Sequence, residues 1–214
     1  MEILNQISEA IIKQSKPDVV RGLVKEALDA GLTAQQVLMD GLLAGMAVIG
    51  ERFKNNEIYV PQVLVSARGM KAGSEMLKPL LASEGVKASG RVVIGTVKGD
   101  LHDIGKNLVS MMMEGKGLEV VDLGTDVPPE KFIQAAIDNN AQIICCSALL
   151  TTTMSEMKHV VEKAVEMGVR DRVTIMVGGA PVNENFCKSI GADIYTPDAA
   201  SASDAAVAAI KARG

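Results

Sequence analysis

The period of the apolar residues changes once along this chain, between residues 83 and 91, and that change constrains the fold more than any other feature. Before it, apolar residues recur at three and four with no alternating stretch. Ile3, Ile7, Ala10 and Ile11 predict one helix. Pro17, preset for a first turn and entered from Ser15 or Lys16, opens a second through Val20, Leu23, Val24, Ala27 and Leu28, which stops at Gly31. Thr33 caps a third, with Val37, Leu38, Leu42, Met46, Ile49 and Phe53 down one side. Gly41, Gly45 and Gly50 on or near it cost ~1 kcal/mol each relative to Ala, so close packing must recover that cost. Lys54-Asn55-Asn56-Glu57 turns the chain, and Pro61 begins a fourth helix through Val63, Leu64, Ala67, Met70, Met76 and Leu77. Helices joined by such short turns form a four-helix bundle.

After the change, short β-branched runs alternate with helical segments. Arg91 to Thr96, Glu119 to Asp122, Ile143 to Ser147, Val173 to Val177 and Asp193 to Thr196 read as strands. Helices are predicted near Ile104 to Met113, Pro129 to Asn139, Thr153 to Met167, Asn183 to Ile190 and Ser201 to Ala212. Five βα units specify a parallel sheet covered on both faces. The expected division is a helical domain over 1–83, a small, glycine-bearing linker over 84–90 and an α/β domain over 91–214.

Charge and composition narrow the partners. The 22 basic and 26 acidic side chains lie in no block of like charge, which argues against a nucleic-acid or anionic-membrane surface. With 3 Phe, 2 Tyr and no Trp, base stacking is an unsuitable task as well. No apolar run approaches the roughly 20 residues that a membrane-spanning helix needs, and Met-Glu-Ile-Leu-Asn-Gln does not read as an export signal, so a cytoplasmic protein is expected. The adjacent Cys145 and Cys146 with a distant Cys187 read as reduced, buried small hydrophobes.

Ligands of an open parallel sheet bind outside the carboxyl ends of its strands, so the loops there carry the chemistry. After the first strand comes Gly99-Asp100-Leu101-His102-Asp103-Ile104-Gly105-Lys106. An imidazole that ligates a metal passes its second ring N–H to a carboxylate or carbonyl, and Asp100 can serve His102 in that way. Gly105 lets a bulky ligand approach the backbone. Ser147 to Thr153 follows the third strand, Gly178-Gly179 the fourth and Pro197-Asp198-Ala199 the fifth. Their hydroxyls and glycines give small walls around a slot suited to a large, partly apolar ligand carrying a phosphate. His159 reads as a solvated helix residue, Met111 to Met113 as helix core, and Asp122, Asp126 and Asp193 as residues that finish strands or turns.

Asp100-x-His102-x-x-Gly105, Ser147-x-Leu149 and Gly178-Gly179, each at the end of its own strand, resemble the three-part pattern of cobalamin-binding domains that place a protein His on cobalt. Gly99 to Asn107 and Val121-Asp122-Leu123-Gly124 resemble cobalamin-dependent methionine synthase, as does Tyr59-Val60-Pro61-Gln62-Val63-Leu64-Val65-Ser66-Ala67-Arg68 in the helical half. A free-standing pair of such domains resembles the corrinoid methyl-carrier proteins of multi-component methyltransferase systems. The resemblance implies a Rossmann-like, flavodoxin-type sheet behind the helical cap.

It further implies cobalamin or a related corrinoid, methylcobalamin when loaded, bound base-off with His102 as the axial cobalt ligand. Asp100 and Thr153 would form its proton relay, Thr153 standing where methionine synthase has Ser. Asp103, Ile104, Gly105, Ser147, Leu149, Thr151, Gly178, Gly179, Asp198 and Ala199 would contact the cofactor. Phe53 and Val60, flanking Tyr59, would cap the methyl face. The implied partners are a substrate-specific methyltransferase for methylamine, betaine, methanol or aryl methyl ethers, a second one to tetrahydrofolate or coenzyme M, and a reductive activator. Three rivals share part of the pattern. A cobalamin sensor would need a signalling domain, the small subunit of an adenosylcobalamin mutase would not need the helical cap, and a phosphoacceptor receiver expects Asp where Cys145-Cys146-Ser147 stands.

Overall fold

The computed structural model describes residues 2–85 and 88–213. They divide into two compact units, Met1–Ala88 with Gly115–Gly117, and Ser89–Glu114 with Leu118–Gly214.

The first unit holds α1 (Glu2–Ile12) and α2 (Pro17–Asp29). A third helix, α3, runs from Ala34–Gln36 through a π-helical stretch, Val37–Leu43, into Ala44–Lys54. The fourth, α4, is Val60–Ser83. Lys16 enters α2 without a side-chain cap, whereas Thr33 accepts the Gln36 amide and Gln36 returns the bond to the Thr33 amide. Ile7, Ile11, Val20, Val24, Leu42, Ile49, Val63 and Leu77 fill the bundle.

The helix glycines are there for packing. A Cβ on Gly45 would lie 2.8 Å from Ile11 Cβ and from the Ser8 carbonyl, and one on Gly41 3.0 Å from Ile7 Cγ2. Gly41 also sits in the π-helical stretch, which an apolar spacing of three and four does not reveal. The last helix of this unit continues past Leu77, through Pro79, to Ser83, the expected end of the helical domain. Glu84, the first residue of the expected linker, accepts the Ala34 and Gln35 amides at 3.1 and 3.3 Å, filling the positive N-terminus of α3. Val86 and Lys87 of that linker lie outside the described residues.

The second unit is a five-stranded, all-parallel sheet in the order β2-β1-β3-β4-β5. Its elements are β1 (Arg91–Thr96), α5 (Ile104–Glu114), β2 (Glu119–Asp122), α6 (Pro129–Asp138), β3 (Ile143–Ser147), α7 (Ser155–Glu166), β4 (Thr174–Gly178), α8 (Glu184–Ser189), β5 (Ile194–Tyr195) and α9 (Ala199–Arg213). This is the flavodoxin-type order, whose reversal point lies between β1 and β3. Alternation along each strand splits the core. Val93, Ile144, Cys146 and Ile175 pack with Phe132 of α6 and Val160 of α7 on one face. Val92, Ile94, Ile143, Cys145 and Met176 pack with Met113 of α5 and Ala202 and Ala206 of α9 on the other. Thr96, Ser147 and Gly178 are register partners in one row, so three strands end level with one another.

Several boundaries differ from expectation: β4 lies one residue later, at Thr174–Gly178, and β5 is only Ile194–Tyr195. The helix after β3 begins as a short 3-10 turn, Thr151–Thr153, because the chain must first bring Thr153 under the loop. The last helix starts at Ala199, with Asp198 accepting the Ser201 amide and hydroxyl at 2.8 and 2.7 Å.

Candidate functional site

The loops after β1 and β3 meet at the reversal point through one carboxylate. Asp100 is fully buried. Its Oδ1 accepts the His102 ring Nδ1–H at 2.7 Å and the His102 amide at 3.1 Å. Its Oδ2 accepts the Leu149 and Leu150 amides at 2.8 and 3.1 Å and the Thr153 hydroxyl at 2.9 Å. Burial opposes ionisation, but the His102 ring and the surrounding amides outweigh it and hold the Asp100 carboxyl well below the usual carboxylate range. An ionised carboxylate only accepts, so Nδ1 carries a proton, and in the neutral ring Nε2 is the nitrogen with the free lone pair. The His102 side chain is 51% exposed, and Leu101 and Ile104 beside it stand exposed as well.

Thr96 adds a second hold, its buried hydroxyl donating to the His102 carbonyl at 2.8 Å. Gly99, at φ +81°, makes the turn into this segment. Asp103 is exposed and accepts Asn107 Nδ2 at 3.0 Å, anchoring the first turn of α5.

Next to this loop a cleft of about 350 Å³ opens on the α5/α9 face of the sheet. Gly105, Ser147, Gly178, Gly179, Asp198 and Ala199 line it, over a floor of Ile94, Cys145 and Met176. Gly179 has no alternative there, since at φ +132° its Cβ would sit 1.8 Å from the Ala148 carbonyl oxygen. Burial pushes the Cys145 thiol up to about 12 and raises that of Cys146 as well, so both stay protonated.

The structure thus gathers the expected residues into two adjoining groups. Asp100, His102 and Thr153 share one hydrogen-bonded chain, with Leu149 attached through its amide. The glycines, Ser147, Asp198 and Ala199 line the cleft. Thr151 and Ile104 are exposed beside them. Phe53 and Val60 belong to the first unit, half-buried at the end of α3 and the start of α4, and Tyr59 between them is 70% exposed.

One cleft residue escapes sequence reading. Lys106 is 2% exposed, and its ammonium donates to Asp122 at 2.5 Å and to Asn107 Oδ1 at 2.7 Å. A lysine in the first turn of a helix ordinarily points to solvent, and the paired Asp122 was the only signal available.

A B12 binding domain family matches residues 90–207, and a second B12 binding domain family matches residues 3–78. The chain is 43% identical to the dimethylamine corrinoid protein of Methanosarcina barkeri over 94% of each chain. It is 40% identical to trimethylamine corrinoid protein 1 of Methanosarcina acetivorans, over 91% of this chain and 90% of that one. Among solved structures it resembles the methanol:cobalamin methyltransferase complex MtaBC of Methanosarcina barkeri, with a TM-score of 0.89 and 33% identity over 98% of this chain and 80% of that one. Among the described residues no helix is long and apolar enough to cross a membrane. The residues present fit a corrinoid, because a half-exposed imidazole with its second nitrogen secured adjoins a roomy cleft.

Proposed function

This chain belongs to the B12-binding family of corrinoid proteins, and on that premise we propose that it carries a methyl group on cobalt between two methyltransferases. The observation that carries the proposal is the His102–Asp100–Thr153 chain. The bound corrinoid would supply a cobalt that can accept a methyl group from one partner and give it to the other.

His102 would hold that group through Nε2, in the base-off form, with Gly105, Ser147, Gly178 and Gly179 around the displaced nucleotide tail. Asp100 fixes the ring's tautomer and keeps the proton on Nδ1. The carboxylate 2.7 Å from Nδ1 would favour a proton on the ring whenever Nε2 is free of the metal. Thr153 tethers the other carboxylate oxygen, so the ring can move without the acid moving. Phe53 and Val60 of the first unit would be the residues that cap the methyl face and exclude water.

One enzyme demethylates the substrate, the second passes the methyl group to tetrahydrofolate or coenzyme M, and a reductive activator rescues oxidised cobalt. The relatives named for dimethylamine and trimethylamine support a methylated amine as the first donor to assay. Free Cys145, Cys146 and Cys187 support a reducing, cytoplasmic setting.

The test is electron paramagnetic resonance of the protein reconstituted with cob(II)alamin. Nitrogen coupling to cobalt is expected in the wild type and not in His102→Ala. A wild-type spectrum without that coupling sinks the ligand assignment.

A further inference from the structure

The loop after β2 runs beside the His102 loop. Leu123 and Val127 amides donate to the Ile94 and Thr96 carbonyls, and the Thr96 amide donates to the Gly124 carbonyl, so main-chain bonds alone bring the two loops together. Asp126 then does something those bonds do not. Its Oδ1 accepts the Gly99 amide at 2.7 Å, and its own amide donates to the Asp100 carbonyl at 3.0 Å. It does so at φ +54°, a left-handed conformation that Asp and Asn tolerate and most residues resist. The turn it grips is the one from which Asp100 reaches His102. Asp126 is exposed and lines no part of the cleft, so core packing does not account for it.

We propose that Asp126 is a positioning residue that clamps the Gly99–Asp100 turn and thereby sets where the His102 ring stands. With the Thr96 hydroxyl on the His102 carbonyl, the segment is held at both ends, and the ring is presented on a short, fixed span. The proposal rests on the reading of His102 as the cobalt ligand, and it deepens that reading by adding a residue that acts through the Gly99–Asp100 turn.

Two variants separate the clamp from the backbone conformation. Asp126→Asn keeps an acceptor and tolerates positive φ, whereas Asp126→Gly keeps the conformation and loses the acceptor. In the ligand-free chain, exchange of the Gly99 amide should quicken about tenfold in Asp126→Gly and stay near wild type in Asp126→Asn. With cob(II)alamin bound, the fraction of cobalt showing nitrogen coupling should fall in Asp126→Gly and recover in Asp126→Asn. An Asp126→Gly protein with wild-type Gly99 exchange, or with undiminished nitrogen coupling, overturns the proposal. If the wild type itself shows no coupling, the ligand assignment fails separately. The clamp is then judged on Gly99 exchange and the His102 ring-proton shifts of the ligand-free chain, and values unmoved in Asp126→Gly overturn it.

Discussion

Asp100 shows how much one carboxylate can organise when every lone pair is used. Five donors converge on it, from His102, Leu149, Leu150 and Thr153. Asp100→Asn would turn an NH2 toward donors and leave at least one of them unpaired, at an expected cost of roughly 2 to 4 kcal/mol in urea denaturation at pH 7. The pH dependence has a definite sign. The folded carboxyl ionises well below its ordinary value of 3.8, so its contribution is complete above that value and is lost as pH falls through it toward the folded one. The stability gap between wild type and Asp100→Asn should therefore close as denaturation is repeated from pH 5 downward. A gap that stays constant into strong acid would contradict the network. The His–Asp pairing was legible in the sequence because a single residue separates acid from imidazole. The amides of Leu149 and Leu150 were not, since they come from a loop 49 and 50 residues away. Asp126 read as a turn residue for the same reason, because spacing does not reveal which neighbouring loop a turn will meet.

Elements divide the glycines into those the fold needs and those the ligand needs. Gly179→Ala drives a Cβ against the Ala148 carbonyl from a left-handed backbone, and roughly 3 kcal/mol or more of stability should be lost in thermal or chemical unfolding. Gly105, the second residue of α5, has nothing within 4 Å of its Cβ position. Gly105→Ala should leave the ligand-free chain as stable or up to about 1 kcal/mol more stable, while weakening cobalamin uptake measured by absorbance titration. Equal uptake would show that Gly105 does not face the cofactor. At this scale the sequence was most readable where periodicity is strong. β1, β2 and β3 have the bounds that the β-branched runs indicated. β5 is shorter, Ile194–Tyr195 only, because an edge strand of two residues carries almost no period. The π-helical stretch of α3 and the passage of α4 through Pro79 were hidden because they change hydrogen bonding and leave the apolar spacing almost intact.

The whole molecule joins a helical unit to a sheet unit that holds all of the hydrogen-bonded site. If the first unit caps the methyl face, Phe53→Ala should speed photolysis of bound methylcobalamin, followed by absorbance under constant light, and an unchanged rate would remove Phe53 from that role. The sheet carries a further consequence. Thr96, Ser147 and Gly178 form one rung, and the loops bearing His102, Leu149 and Gly179 all depart from it. That rung is a common datum line for three separate stretches of chain. Lengthening any one strand by a residue would move its loop by about 3.3 Å and turn its side chains to the opposite face. Insertions and deletions inside β1, β3 or β4 would therefore throw the site out of alignment, even with every loop residue kept.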